Sequence, residues 1–342
     1  MLRSMGDQFP GARGYLNSAS IGLPPADAAN ELRRAIDAWQ NGTASAPGYD
    51  RCIDEARVRF ADLVGVSPDS VAIGSQVSAL IGMVAAGLPP GSRVVCPEEE
   101  FTSVIFPFLA RDDLDVTLVP LEELIAAIQP DTDLVAFSLV QSADGRVADG
   151  EVIASVAKHN GAMTLVDATQ AAGWLPFAAG IYDVTVTGAY KWLMSPRGTA
   201  FMTVRRESMD HLALLYPGWY AGESPWEAIY GAPLRLATDA RRFDLSPGWL
   251  AWVGTAAALR AIEEVGVETI HEHNVALANE FRGRLGLAAS DSAIVSIDLP
   301  PTTDMGRLRE LSTATRAGRL RVAFHLYNTV EDVDLLGQAL GV

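Results

Sequence analysis

The chain is poor in lysine and strongly acidic, yet Lys191 ends an apolar run in the segment TGAYKWLMSPRGTAF (187–201). A lysine amine is nucleophilic only after it loses its proton, and apolar neighbours such as Trp192 and Leu193 favour the neutral form. Such an amine commonly attacks a carbonyl carbon and forms a Schiff base. The segment therefore predicts a lysine that holds a carbonyl compound.

Asp167 ends the apolar segment AMTLVDA (162–168), and Gln170 follows three residues later. A carboxylate at that position is costly to bury unless a partner compensates it. Ligands of open parallel sheets bind at the carboxyl ends of the strands, so we expect Asp167, Gln170 and Lys191 to line one crevice. Pyridoxal phosphate needs a lysine, an acid for its pyridinium nitrogen, a phosphate cradle and a flat group against its ring, and the chain offers a candidate for each.

These residues lie in a region where short β-rich segments alternate with helical segments. Predicted strands lie at 93–97, 115–121, 134–140, 162–168, 183–189 and 199–204, and predicted helices at 24–40, 50–64, 75–87, 104–110, 121–128 and 150–160. Alternation of this kind predicts an α/β fold with a mostly parallel, doubly wound sheet that helices cover on both faces.

The last third of the chain has a different pattern, which predicts a smaller α+β domain. Helices are predicted at 249–264, 268–285, 304–317 and 330–340, and strands at 293–299 and 319–327. We expect an N-terminal arm (1–15), a large cofactor-binding domain (16–235) and a small C-terminal domain (236–342), with the N-terminal helix able to pack on the small domain.

Composition excludes several classes of function. The formal net charge of −16 and the absence of a basic stripe argue against a nucleic-acid partner. No apolar window is long enough to span a membrane, and the start of the sequence has no secretion signal, so we expect a cytoplasmic protein. Two cysteines, Cys52 and Cys96, cannot form a disulfide framework or a four-thiolate zinc site.

Six segments, in order along the chain, resemble the class V aminotransferase family of fold type I pyridoxal enzymes, which includes cysteine desulfurases and isopenicillin N epimerase-like proteins. The segments are YLNSASIGLPP, PEEEFTSVIFPF, VDATQAAG, TGAYKWLMSPRGTAF, RRFDLSPGW and RVAFHLYNTVEDVD. The resemblance spans the whole chain. It implies a fold type I large domain, pyridoxal 5'-phosphate as the cofactor and a homodimer with shared active sites.

The resemblance also implies a role for each matching position. Lys191 would form the Schiff base, Asp167 would keep the pyridine nitrogen protonated, Gln170 would contact the ring's phenolic oxygen, Phe101 would stack on the ring, and Gln76 and Val77 would bind the phosphate. Ser142 would lie near the ring oxygen, Ser246 would reach the phosphate of the neighbouring subunit, Arg321 would clamp the substrate carboxylate, and Asn17 and Ser18 would line the substrate pocket.

The chain departs from the family pattern at three places. Tyr190 replaces the histidine that usually precedes the lysine and is expected to contact the cofactor in its place. Gly188 replaces a serine that often binds phosphate, so either Thr187 takes over this task or no residue does. No cysteine lies in STATRAGRLRVAF, where persulfide-forming desulfurases carry one. We therefore expect transamination or epimerisation of a small amino acid; the alternatives are a carbon–sulfur lyase without the persulfide cysteine and a catalytically silent cofactor-binding protein.

Three further features have plainer interpretations. The acidic run at 98–100 is expected to be a solvated turn. His271 and His273 do not share a helix face, so we expect surface histidines and no metal site. The aromatic cluster around Trp219, Tyr220, Trp226 and Tyr230 is expected either to wall a substrate pocket or to pack in a subunit interface.

Overall fold

The large sheet carries the segments predicted to do chemistry. The computed structural model describes residues 7–342, so the first six residues of the predicted arm lie outside the described residues. The strands of this sheet are β1 (Val71–Gly74), β2 (Arg93–Pro97), β3 (Asp115–Val119), β4 (Leu134–Ser138), β5 (Met163–Asp167), β6 (Val184–Gly188) and β7 (Ala200–Val204). Their order is β1-β7-β6-β5-β4-β2-β3, and β7 runs antiparallel to both of its neighbours. The predicted mostly parallel α/β fold is confirmed.

Helices cover both faces of this sheet, and ordinary signals set their ends. The helices of the described residues, including those of the C-terminal part, are α1 (Ala26–Gln40), α2 (Asp50–Val64), α3 (Val77–Gly87), α4 (Thr102–Leu109), α5 (Leu124–Ala127), α6 (Gly150–Asn160), α7 (Trp249–Val265), α8 (Val267–Arg284), α9 (Met305–Leu308) and α10 (Val330–Leu340). The side chain of Asp149 caps α6 by accepting a hydrogen bond from the amide of Val152, and Gly161 ends it with φ of 79°. Helices α1 and α2 pack on α7.

A second, antiparallel sheet lies in the C-terminal part of the chain. It consists of β8 (Ile294–Ile297), β10 (Arg319–Ala323) and β9 (Ala314–Arg316), with β10 in the centre. Helices α8 and α10 bury Phe281 and Leu336 in its core, where Leu16 from the start of the chain also lies. An isolated bridge joins Asn17 to Ala323, so the N-terminal segment is held against this sheet. The division of the chain at 235 and 236 stays a prediction.

Two sequence predictions of local structure were wrong or incomplete. The helix predicted over 304–317 is only Met305–Leu308, and residues 314–316 form β9 instead. Ala317 and Gly318 both have positive φ, 47° and 79°, and this tight turn pairs β9 with β10. Strand β1 was not predicted, because a four-residue apolar run has no readable periodicity. Over residues 7–342, no helix has both the length and the apolarity needed to cross a bilayer.

Candidate active site

A cavity that is open to solvent on one side lies at the carboxyl ends of β1, β4, β5 and β6. Its walls include eight of the residues predicted from sequence: Gln76, Val77, Phe101, Ser142, Asp167, Gln170, Tyr190 and Lys191. Its other walls are Ser75, Ser78, Ser103, Ser138, Thr169, Gly188, Arg197 and Thr199. Polar side chains from several strand ends converge on this cavity, as is typical of a site for a cofactor or a small molecule.

Lys191 is buried in the cavity wall, with 6% of its surface exposed. Its amine lies 5.4 Å from the ring centroid of Phe101 and 5.8 Å from that of Tyr190. Burial lowers the pKa of Lys191 to about 8, and the carboxylate of Asp167 opposes this effect. The amine is therefore far more often neutral near physiological pH than an exposed lysine would be.

The backbone around Lys191 forms a compact turn that fixes the side chain. The amide of Ala189 donates to the carbonyl of Thr199 at 3.0 Å, and the amide of Ser195 donates to the carbonyl of Ala189 at 3.1 Å. Met194 takes a positive φ of 53°, which is unusual for a residue with a side chain. A Cβ at Gly22 would lie 2.0 Å from the carbonyl oxygen of Lys191, so only glycine fits against this turn.

Asp167 presents a buried carboxylate at the end of β5. It accepts a hydrogen bond from the amide of Thr169 at 2.8 Å, and the hydroxyl of Thr169 in turn accepts one from the amide of Gly188 at 2.8 Å. Burial raises the pKa of Asp167 to about 6, while the contacts with Thr169 and the charge of Lys191 act in the opposite direction. A cationic group placed in the cavity would stabilise this carboxylate.

Gln170 and Ser142 form a hydrogen-bond network behind the cavity. Both amide hydrogens of Gln170 are used, one by the carbonyl of Ala19 and one by Ser142 Oγ, each at 3.0 Å. Its carbonyl accepts from the indole of Trp192 at 2.8 Å. Ser142 Oγ thus accepts a hydrogen bond and keeps its own O–H for a ligand, so Ser142 is better placed than Gln170 to donate to a ring oxygen.

Arg321 is buried, with 2% of its surface exposed, and reaches the same network from β10. Its guanidinium donates to the carbonyl and the hydroxyl of Ser142 and, at 2.8 Å, to Ser20 Oγ. Burial lowers the pKa of Arg321 to about 10, and the nearby charge of Arg316 acts in the same direction. Among the described residues no carboxylate forms an ion pair with Arg321.

A family model described as "Aminotransferase class-V" matches residues 47–296. The chain belongs to this family. An uncharacterized aminotransferase, YcbU, of Bacillus subtilis (strain 168) is 30% identical over 302 residues, 81% of this chain and 80% of YcbU. Isopenicillin N epimerase of Amycolatopsis lactamdurans is 27% identical over 336 residues, 83% of each chain.

Solved structures of the same fold include the cystine C-S lyase C-DES in complex with its product cysteine persulfide. It has a TM-score of 0.87 at 21% identity and covers 97% of this chain and 99% of its own. A second C-DES structure carries glycine covalently linked to the PLP cofactor. This chain is an enzyme of the class V aminotransferase family, and its cofactor is pyridoxal 5'-phosphate.

The residues of the cavity fit that cofactor. Asp167 offers a buried carboxylate to a ring nitrogen, and Phe101 offers a flat face beside Lys191. Helix α3 begins after Gln76 with no side-chain cap, so the first N–H groups of the helix point at the cavity end where Gln76 and Val77 lie. The buried hydroxyl of Thr187, next to Gly188, has no partner among the described residues.

Five predicted site residues are not among the residues that line the cavity within this chain, and the first is Arg321, which reaches only the network at Ser142. Thr187 is buried in β6, and Ser246 is exposed in the loop before α7. Ser18 Oγ bonds the hydroxyl of Tyr327 at 2.5 Å, and Asn17 Oδ1 is buried without a partner among the described residues. The active-site roles of these five positions stay predictions.

Several contributors to the class V site were missed in the sequence. The acidic run is not wholly solvated, because Glu98 and Glu99 are exposed while Glu100 is buried with 5% of its surface exposed. Thr169 and Arg197 lie in segments that were quoted but were given no role. The signal for Thr169 was its position two residues after a strand-end acid, since such a hydroxyl and amide often bond that acid.

Two other expectations from sequence need correction or narrowing. His271 and His273 are not ordinary surface residues: His271 stacks on Trp174 at 5.8 Å, and His273 bonds the carbonyl of Asn328 at 2.9 Å. The aromatic cluster does not wall the cavity, since Trp219 packs on Trp226 at 4.9 Å away from its lining residues.

Proposed function

We propose that this enzyme binds a small α-amino acid and breaks its Cα–H bond, with transamination or epimerisation as the outcome. The observation that carries the proposal is the pair of cations at one network: Lys191 in the cavity and the buried Arg321 at Ser142. The proposal is also supported by the relatives of this chain, which include a protein named as an aminotransferase and an isopenicillin N epimerase.

The buried guanidinium of Arg321 supports a substrate with a carboxylate. A buried cation without an acid partner is costly, and a bound anion would remove that cost. Three hydrogen bonds to Ser142 and Ser20 leave other N–H groups of the guanidinium available. A carboxylate has two oxygens that match the guanidinium fork, and it is the anionic group that every α-amino acid carries.

Lys191 supports proton transfer at the substrate Cα. Pyridoxal phosphate, when bound, supplies an electron sink for the charge that develops at that carbon. With its pKa near 8, the amine of Lys191 can accept a proton and return it at neutral pH. Return of the proton to the opposite face of Cα gives epimerisation. Delivery of the proton to another carbon gives transamination.

A carbon–sulfur lyase is the second candidate, and Tyr190 is the observation that favours it. Its phenol lines the cavity beside Lys191, and burial raises the pKa of that phenol, so it remains a proton donor for a leaving thiolate. A persulfide on the enzyme is not supported: Cys96 is buried in β2, Cys52 lies on α2, and neither lines the cavity.

We also propose that the enzyme is a homodimer with shared active sites. Ser246 is exposed and outside the cavity of its own chain, as expected of a residue that serves the neighbouring subunit. The loop after β7 exposes Tyr230 and Leu234, at 86% and 74%, which is the kind of apolar surface that a subunit contact would cover. Sedimentation equilibrium of the purified chain tests this; a monomer at all concentrations would contradict it.

The reaction is tested with a panel of amino acids in deuterated water. The proposal is supported if the wild-type enzyme exchanges the Cα proton of an amino acid for deuterium and the Lys191→Ala variant does not. A keto acid formed only with an added acceptor then indicates transamination, an inverted enantiomer indicates epimerisation, and pyruvate with ammonia indicates elimination. A yellow protein whose colour borohydride fixes, but which exchanges no Cα proton with any amino acid of the panel, would indicate a silent cofactor-binding protein and overturn the proposal.

A further inference from the structure

We infer that Arg197 is a phosphate-binding residue of the cofactor site and supplies the cationic charge that neutralises the phosphate. This position was not among the predicted site residues. The inference shares its cofactor with the proposed function and does not depend on which reaction follows.

The sheet register places Arg197 at the phosphate end of the cavity. Gly74 at the end of β1 and Gly188 at the end of β6 both pair with Ala200 at the start of β7. The segments that extend from these three positions therefore meet at one edge of the sheet. They are the start of α3, the turn that carries Lys191, and the loop that carries Arg197 into β7.

Contacts at this edge show how close the three segments are. A Cβ added at Gly188 would lie 3.3 Å from the ring of Tyr190 and 3.4 Å from the side chain of Val77. The guanidinium of Arg197 lies over the ring of Tyr190, and its central carbon is 5.1 Å from the ring centroid. Tyr190 thus contacts Arg197 and lies near Val77 at the uncapped start of α3, and all three residues line the same cavity.

The charges that line the cavity leave Arg197 available to an anionic ligand. Among the described residues that line the cavity, Lys191 and Arg197 are the cations and Asp167 is the acid. The charges of Lys191 and Asp167 act on each other. Arg197 is exposed at the mouth of the cavity, where its guanidinium packs on the ring of Tyr190 and forms no ion pair with a described carboxylate. In a chain with a net charge of −16, an unpaired arginine held on an aromatic platform in a cavity wall fits an anionic ligand.

A phosphate dianion satisfies both groups at once. The N–H groups at the start of α3 bind it through hydrogen bonds and the helix dipole, and the guanidinium of Arg197 adds charge and a planar fork of donors. Gly188, which lines the same cavity, offers no hydroxyl to a phosphate, so the guanidinium of Arg197 supplies a charged donor there.

The test compares two aldehydes that differ only in the phosphate. The full chain is freed of cofactor and titrated with pyridoxal phosphate and with pyridoxal, as wild type and as Arg197→Gln. We expect the substitution to weaken the binding of pyridoxal phosphate by roughly 10- to 100-fold and to leave the binding of pyridoxal unchanged. The reason is that the lost contacts are charge-assisted hydrogen bonds to phosphate. Inorganic phosphate should compete with the cofactor in the wild type and much less in the variant.

Arg206→Gln is the matched control, since Arg206 is exposed outside the cavity and its loss changes the net charge equally. An unchanged affinity for pyridoxal phosphate in Arg197→Gln would overturn the inference. Equal weakening of both aldehydes, or equal weakening by Arg206→Gln, would overturn it too. Failure of the amino-acid assay would leave this inference intact, because its readout is cofactor affinity.

Discussion

The carboxylate of Glu100 accepts hydrogen bonds from the backbone amide of Ser138 at 2.7 Å and from its hydroxyl at 2.5 Å. It also accepts from the side chain of Gln141 at 3.0 Å and from the amide of Phe101 at 2.7 Å. Four donors therefore compensate one buried charge. These contacts tie the segment of Phe101 to the end of β4, and so hold two walls of the cavity together.

Glu100→Gln should destabilise the protein by about 1–3 kcal/mol. The glutamine amide replaces one acceptor oxygen with an NH2 group, so donors that now bond to Glu100 would face another donor. The free energy of unfolding, measured with urea, checks this. Glu98→Gln is the control, since Glu98 is exposed in the same run. Equal stability of the two variants would mean that the network contributes little.

Uptake of pyridoxal phosphate by the cofactor-free enzyme should accelerate with pH around a midpoint near 8, the pKa to which burial lowers Lys191. The neutral amine is the nucleophile, so its fraction rises as pH passes that value. Stopped-flow absorbance over a pH series measures the rate. A midpoint near the ordinary lysine value of about 10.4 would show that burial does not tune this amine.

Asp167 should make the stability of the cofactor-free enzyme fall as pH rises from about 4 to 6. Burial raises the folded-state pKa of Asp167 to about 6, above its unfolded value of 3.8, so the folded chain binds this proton more tightly. Its contribution is complete below the unfolded pKa and is lost as pH rises through the folded one, at most about 3 kcal/mol.

Asp167→Asn should remove that part of the pH dependence, which urea unfolding at several pH values would measure. Asp112→Asn is the control, because Asp112 is exposed and lies outside the cavity. The same pH profile in Asp167→Asn and in the wild type would contradict the assignment.

Arg321→Gln should weaken amino-acid binding by roughly 10- to 100-fold, because a charge-assisted contact to the substrate carboxylate is lost. Spectral titration of the yellow enzyme with an active amino acid measures this dissociation constant. The amine that lacks the carboxylate should bind the two proteins equally.

Arg319→Gln provides the comparison for Arg321. Arg319 lies two residues earlier on β10 but is exposed, with Asp298 3.5 Å away. If both substitutions raised the dissociation constant of the amino acid to the same degree, a general loss of positive charge would explain the result. A specific contact between Arg321 and the carboxylate would then be contradicted.

Much of the fold and part of the site could be predicted from sequence. Lys191 and Asp167 end β-rich segments, and the carboxyl ends of parallel strands meet at one edge, so their convergence follows from pattern alone. The helix over 304–317 was wrong because a polar segment of this kind has no strong periodicity, and the Ala317-Gly318 turn decided the outcome. The role of Glu100 was missed because three consecutive acids look the same in sequence whether they are solvated or not.

The sequence by itself determined the chemistry that the enzyme can carry: a lysine in apolar surroundings, an acid at a strand end and an arginine near the C-terminus. Only the tertiary structure decided which polar groups bond to one another. Gln170, Ser142 and Arg321 are far apart in the chain, and they meet because both sheets pack against residues 17–20. It also placed Arg197 on the ring of Tyr190, in the wall of the cavity at which α3 begins. Residue types fix what a group can do, whereas burial and long-range register fix its partner, because both depend on segments that local sequence does not contain.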